Sequence, residues 1–260
     1  MERSQIRWYF RWAVDTIRYE GLHILLWRML KLGLSPLGEL GIVSFCRKDL
    51  TQPLGETQAK VNLTISQATE ADIDQLATLV AKRWSPKQKR KLFKTKSVQE
   101  TIHDQLQQGA KCFVGKIGTE MVAYNWIFFH RKDFTHYFAH LSEREALCDD
   151  AFTVEEWRGK AIHGAVHNQM LLFLQQSGFR TAYTLVHTDN ISVKKALQRL
   201  GWNFYGTLLY FSPHQSDRVL RWEVRGPLDP FYGKGDSKSI VISNLAFWRY
   251  TDNPRKRDVW

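Results

Sequence analysis

The stretch from Ala146 to Gly164, ALCDDAFTVEEWRGKAIHG, constrains the fold more than any other part of the chain. From Ala146 to Val154 the β-forming residues are interrupted only by Asp149 and Asp150. Gly159 and Lys160 then break the run, and an apolar-periodic helix begins near Ile162. A strand, a loop and a helix N-terminus follow in order. Backbone N–H groups in the first turn of a helix have no internal partners, and the macrodipole is positive there, so a pyrophosphate can be held without dedicated side chains. Arg158 and Lys160 add positive charge to that cradle.

The flanks extend the pattern. After the helix to Ser177, Arg180 to Val186 reads as a strand, and Asn190 caps a helix through Val193, Leu197 and Leu200 that Gly201 and Trp202 end. On the run Arg158, Gly159, Lys160, Ala161, Ile162, His163 with these flanks, the chain resembles the GNAT superfamily of acyl-CoA-dependent N-acyltransferases. That family's signature is Arg or Gln, two residues, Gly, one residue, then Gly or Ala. Ala161 stands where Gly is usual, and His163 replaces the small last residue. The resemblance covers residues 61 to 224 and implies an α/β (mixed α+β) fold, a central mixed, mostly antiparallel sheet flanked by helices, here preceded by an N-terminal amphipathic helix. It also implies acetyl-CoA or another acyl-CoA as cosubstrate, with no metal. The coenzyme would be held by Thr153, Val154, Arg158, Gly159, Lys160, Ala161, Ile162, His163 and Gly164, with Asn190 beyond them.

Acyl transfer to an amine needs a neutral amine, aligned reactants and a stabilised oxyanion and thiolate. Asp149 and Asp150 are the candidate bases; as strand neighbours they would point to opposite faces, so only one would face the cleft. Phe152 and Val154 share the side of Asp150, which favours Asp150, although the same neighbours equally suit a core face with Asp149 in the cleft. An aspartate bound to a backbone donor or to Arg158 is the structural alternative. The family often places a Tyr as acid seven residues after the Asn that begins the late helix, and here that position is Leu197. Tyr205, Tyr210 or water would then substitute.

In chain order, residues 4 to 32 read as one helix ended by Gly33, Ser35 and Pro36. Arg3, Arg7, Arg11 and Arg18 are spaced by four, four and seven, which puts them within roughly 80° of one another at 100° per residue. With Trp8, Trp12, Leu22, Leu26 and Trp27 around them, residues 3–31 suit either docking on the domain or on a dimer partner, or contact with an anionic membrane. Residues 34–60 read as a connector with a short strand at 41–46, which divides the chain into 1–57, an acyltransferase domain over 58–225, and a tail over 226–260 of no assigned role.

Residues 82–96 carry eight Lys and Arg with no acid between them, a solvated face or a contact for RNA or another acidic partner. Lys111–Lys116 and Met121–Phe129 read as a hairpin. Three cysteines suit a reducing cytoplasm, at the inner face of a membrane if the first helix is interfacial. A net charge of +11 points to anionic surfaces or substrates.

The leading expectation is acyl transfer from acyl-CoA to an amine of unknown, anionic-leaning identity. A GNAT-fold binding module for RNA or membrane, and aminoacyl transfer from charged tRNA, are the alternatives.

Overall fold

The computed structural model describes residues 13, 14, 17, 22–83, 97–129, 131–133, 137–213, 218–225, 231–233 and 245–249. A first helix, α1, spans Leu22–Leu34, and Ala13, Val14 and Ile17 before it are also helical. The remainder of the helix expected over 4–32 lies outside the described residues, as do 84–96 of the basic block.

The strands are β1 (Gly38–Asp49), β2 (Thr64–Gln67), β3 (Lys111–Ile117), β4 (Glu120–Phe128), β7 (Glu145–Thr153), β8 (Thr181–His187), β9 (Asn203–Pro213), β10 (Arg218–Arg225) and β12 (Leu245–Arg249). Among the described residues they form one sheet in the order β12-β10-β9-β1-β8-β7-β4-β3-β2. Three short strands, β5 (Arg131–Asp133), β6 (Tyr137–His140) and β11 (Phe231–Gly233), make a second sheet. Every pairing in the large sheet is antiparallel except β7 with β8. This is the mixed, mostly antiparallel α/β architecture expected.

Helices cover both faces. On one, α2 (Ile73–Arg83) and α3 (Val98–Gln107) bring Leu76, Leu79, Val80 and Ile102 against Val114, Tyr124, Trp126 and Leu147. On the other, α4 (Ile162–Gln176) and α5 (Ile191–Arg199) bring Ile162, Val166, Met170, Leu174 and Leu197 against Phe113, Ala123, Ala146, Cys148 and Trp202. Local signals set the helix starts. Thr69 N–H donates to Asp72 Oδ2 at 2.9 Å ahead of α2, and Ser97 and Glu100 form a reciprocal capping box on α3.

One expectation needs correcting. The connector expected over 34–60 contains β1, a twelve-residue strand in the interior of the sheet. It pairs with β8 from Val43–His187 to Asp49–Thr181, and with β9 from Gly38–Pro213 to Arg47–Asn203. A division at residue 57 therefore cuts through the sheet. Gly41, the first residue of the expected short strand, is required by packing: a Cβ there would lie 2.5 Å from the Tyr210 ring. The tail over 226–260 also contributes, since β12 extends the sheet on β10.

Candidate active site

The parallel pair organises the site. β7 and β8 are in register only at Glu145–Thr181, Ala146–Ala182 and Leu147–Tyr183. Past Leu147, β7 runs on to Thr153 along β4, while β8 runs on to His187 along β1. A gap therefore opens between them from Cys148 and Thr184 onward. The loop at its open end leads straight into α4, so the strand end and the helix N-terminus share one mouth.

Val154 N–H donates to Val122 O at 2.9 Å, which ends the strand, and Glu155–Trp157 form a 3₁₀ turn. Gly159 has φ +78° and Ala161 has φ +59°. The place where Gly is usual in the family thus keeps a left-handed backbone, which strains an alanine by roughly 1–2 kcal/mol. The first internal bond of α4 runs from Ala165 N–H to Ala161 O at 3.0 Å, and no side chain caps the helix. The N–H groups of Ile162, His163 and Gly164 precede that bond and have no carbonyl within the helix to meet.

The two cations expected to face a pyrophosphate lie along the loop instead. Arg158 Nε donates to Thr153 O at 3.3 Å, and Lys160 Nζ lies 4.0 Å from the centre of the Trp157 ring. The segment before β2 packs on the same loop: Lys60 N–H donates to Lys160 O at 2.9 Å, and a Cβ on Gly164 would meet the Thr57 methyl at 3.1 Å. Asn190 is the cap of α5, its Oδ1 accepting from Val193 N–H at 3.4 Å and Ser192 Oγ at 3.1 Å.

The aspartates do not alternate. Trp126 is paired with Asp149 and Tyr124 with Phe152, so two residues of β7, Asp150 and Ala151, oppose Asn125 alone. This is a β-bulge, with Asp150 at φ +55°. Trp126, Tyr124 and Phe152 all belong to the α2/α3 face, so register places Asp149 there too. Asp150 joins it: its carboxylate is ion-paired with Arg83 Nη1 at the end of α2 and accepts from Tyr124 Oη at 3.5 Å. Both carboxylates share one face, and the expectation that the strand would separate them fails because a bulge resets the side-chain period.

Tyr205 and Tyr210 sit on β9, with β8 and β1 between them and β7. At about 4.8 Å per strand this is about 14 Å of lateral separation. Tyr205 packs edge-on to Tyr183, and Tyr210 Oη donates to Glu39 Oε1 at 2.9 Å. Neither is brought beside Asp149 or Asp150. Leu197, at the family's Tyr position, is buried on the α4/α5 face. Cys148 is buried as well, and burial pushes its thiol pKa up, which keeps it protonated near neutrality.

Three residues at the site were not singled out from sequence. Arg83 belongs to the basic block over 82–96 and Tyr124 to the hairpin strand Met121–Phe129; burial raises the Tyr124 phenol pKa. His187 closes β8 at the mouth. Its packing, and then the charge of Lys31, lower its pKa, while Asp189, Glu39 and Asp149 pull the other way. It is neutral at pH 7. Among the described residues no group of three or more His, Cys, Asp or Glu could hold a metal ion.

The fold and the parted strand pair define a mixed-sheet α/β protein with a cleft that ends on a helix N-terminus. The chain is similar to solved acetyltransferases of the GNAT family. One from Novosphingobium aromaticivorans, described as a putative GNAT-family acetyltransferase, is 12% identical with TM-score 0.46, over 66% of this chain and 64% of that one. This chain thus spans less than two thirds of that neighbour. A predicted acetyltransferase with acetyl-CoA from Clostridium acetobutylicum is 11% identical with TM-score 0.42, over 54% of this chain and 90% of the other. The PaiA N-acetyltransferase of Thermoplasma acidophilum, in complex with coenzyme A, is 10% identical with TM-score 0.42, over 54% and 89%. No protein-family model and no curated protein matches the chain.

Proposed function

We propose that this chain transfers an acyl group from a CoA thioester to an amine. The observation that carries the reading is the parting of β7 from β8 after Leu147, at a mouth shared with the uncapped start of α4. A parallel pair that stops bonding leaves backbone groups along the gap for an extended, amide-containing arm. The N–H groups of Ile162, His163 and Gly164 offer donors to a pyrophosphate, with the positive end of the macrodipole behind them. The residues present fit an acyl-CoA on those grounds. Arg158 and Lys160 add charge around the loop once they turn from Thr153 O and Trp157.

The amine nitrogen attacks the thioester carbonyl, the C–N bond forms, the C–S bond breaks, and the thiolate takes a proton from solvent. The amine proton goes to Asp149 directly or through one water. Asp149 shares the α2/α3 face through its register with Trp126, and the part of Asp150, ion-paired with Arg83 and bonded by Tyr124, is to hold the bulge beside it. This moves the base from the aspartate favoured by sequence to its neighbour. Thiol release from acetyl-CoA in the presence of a panel of primary amines tests the assignment. Asp149→Asn should lower kcat by about two to four powers of ten and remove the acidic limb of kcat/KM. Equal activity and an unchanged profile in Asp149→Asn would refute the role.

A further inference from the structure

α1 carries two different faces. Ile24 and Leu25 are buried, Lys31 Nζ is 2.9 Å from Asp189 Oδ2, and Arg28 Nη2 donates to Asp189 O at 3.2 Å. At 100° per residue these four positions cluster on one side. Leu22, Leu26, Met29 and Leu30 lie on the other, 49–58% exposed. Asp189 comes two residues after β8 ends, so the docked side of α1 is fastened at the mouth of the gap and the apolar side faces away from the protein.

We propose that α1 seats this mouth on an anionic lipid bilayer, and that the acceptor amine is carried by a membrane lipid; the acceptor half rests on the acyl-transfer reading. Charge complementarity selects the occupant. Residues 1–33 hold six Lys and Arg against three Asp and Glu, Arg3, Arg7, Arg11 and Arg18 among them, in a chain of net charge +11. An apolar helical strip in a basic segment is what an interfacial helix presents to acidic headgroups. No helix among the described residues is long and apolar enough to cross a membrane, so the contact is with one surface. A second copy of the chain fits less well: one helix offers about half a dozen side chains, where a stable interface uses roughly 20 residues a side. A lipid-borne amine would meet the gap without leaving the surface.

The test uses the full chain with vesicles of phosphatidylcholine alone, of phosphatidylcholine with phosphatidylglycerol, and of the latter with phosphatidylethanolamine. Sedimentation should carry the protein down with phosphatidylglycerol vesicles. Leu26→Gln/Met29→Gln, both at exposed positions, should weaken that binding at least tenfold with an unchanged melting temperature. Protein that stays in solution, or a double variant that binds as well as the parent, overturns the surface; so does a dimer that the double variant dissociates when vesicles are not bound. With radiolabelled acetyl-CoA, label should appear on phosphatidylethanolamine in preference to soluble phosphoethanolamine, and the reverse preference overturns the acceptor. Calorimetry showing no CoA-ester binding would defeat the transferase reading, and the acceptor with it, while vesicle binding would still uphold the surface.

Discussion

Arg83, the last residue of α2, is ion-paired with Asp150 at the bulge of β7, and Tyr124 Oη reaches the same carboxylate at 3.5 Å. The pair ties a helix end to the one position where the strand departs from regular geometry. Arg83→Met should destabilise the fold by about 1–3 kcal/mol, the scale for hydrogen bonds to charged groups, since both side chains are 27% exposed. Asp150→Asn keeps a residue type that tolerates φ +55° and should cost a similar amount. In a double-mutant cycle by chemical denaturation the two losses should not add. Additive losses would mean that the pair does not hold the bulge.

Gly41 lies beneath the Tyr210 ring, whose hydroxyl bonds to Glu39. Gly41→Ala forces the ring aside and should lower stability by about 1–3 kcal/mol. Tyr210→Ala costs stability by emptying a buried site, but in that background the further loss from Gly41→Ala should shrink, which thermal melting of the two single variants and the double variant would show.

β1 separates β8 from β9 in the sheet. A chain that begins at residue 58 loses it and exposes both neighbouring edges, so it should aggregate or fail to fold. Circular dichroism and light scattering of that fragment check this, and a cooperative melt like that of the whole chain would contradict the placement of β1.

How much was legible follows from where each signal sits. β7, the loop, α4, β8 and α5 are coded locally, by a β-forming run, Gly159, Asn190 as cap and Gly201 as stop, and the structure has them with ends within one or two residues. The S-x-x-E box at Ser97 and Glu100 is an equally local signal for the start of α3. Only 41–46 of β1 is legible, as a short strand, because its partners β8 and β9 come more than 130 residues later and because Gly41 is there to admit Tyr210. Asp150 broke the alternation rule through a backbone state that aspartate enters more readily than most residues. Its pairing with Arg83 is a tertiary contact that no spacing in either segment encodes.

Acid should destabilise the protein through its histidines. His167 is buried, with Nδ1 2.9 Å from Asn125 Nδ2, and burial first and His163 second lower its pKa to about 3. The pKa values of His163 and His187 are lowered as well. A histidine whose folded pKa is depressed is protonated in the unfolded chain first, so its penalty is absent above pH about 6.5 and grows as pH falls toward 3. At about 1.4 kcal/mol per pH unit, His167 alone should take roughly 2 kcal/mol from stability between pH 7 and pH 5. Urea denaturation at the two pH values measures this, and His167→Gln should shrink the difference.

The central claim is that an acyl-CoA binds where β7 leaves β8, with its pyrophosphate against the first turn of α4. Isothermal titration of the folded full chain with acetyl-CoA, repeated with Arg158→Ala, tests it most directly. The account predicts one saturable site per chain, competed by free CoA, with Arg158→Ala weakening affinity by about 1.5–3 kcal/mol. No heat of binding with acetyl-CoA or any other CoA ester, from protein that melts cooperatively, would contradict it.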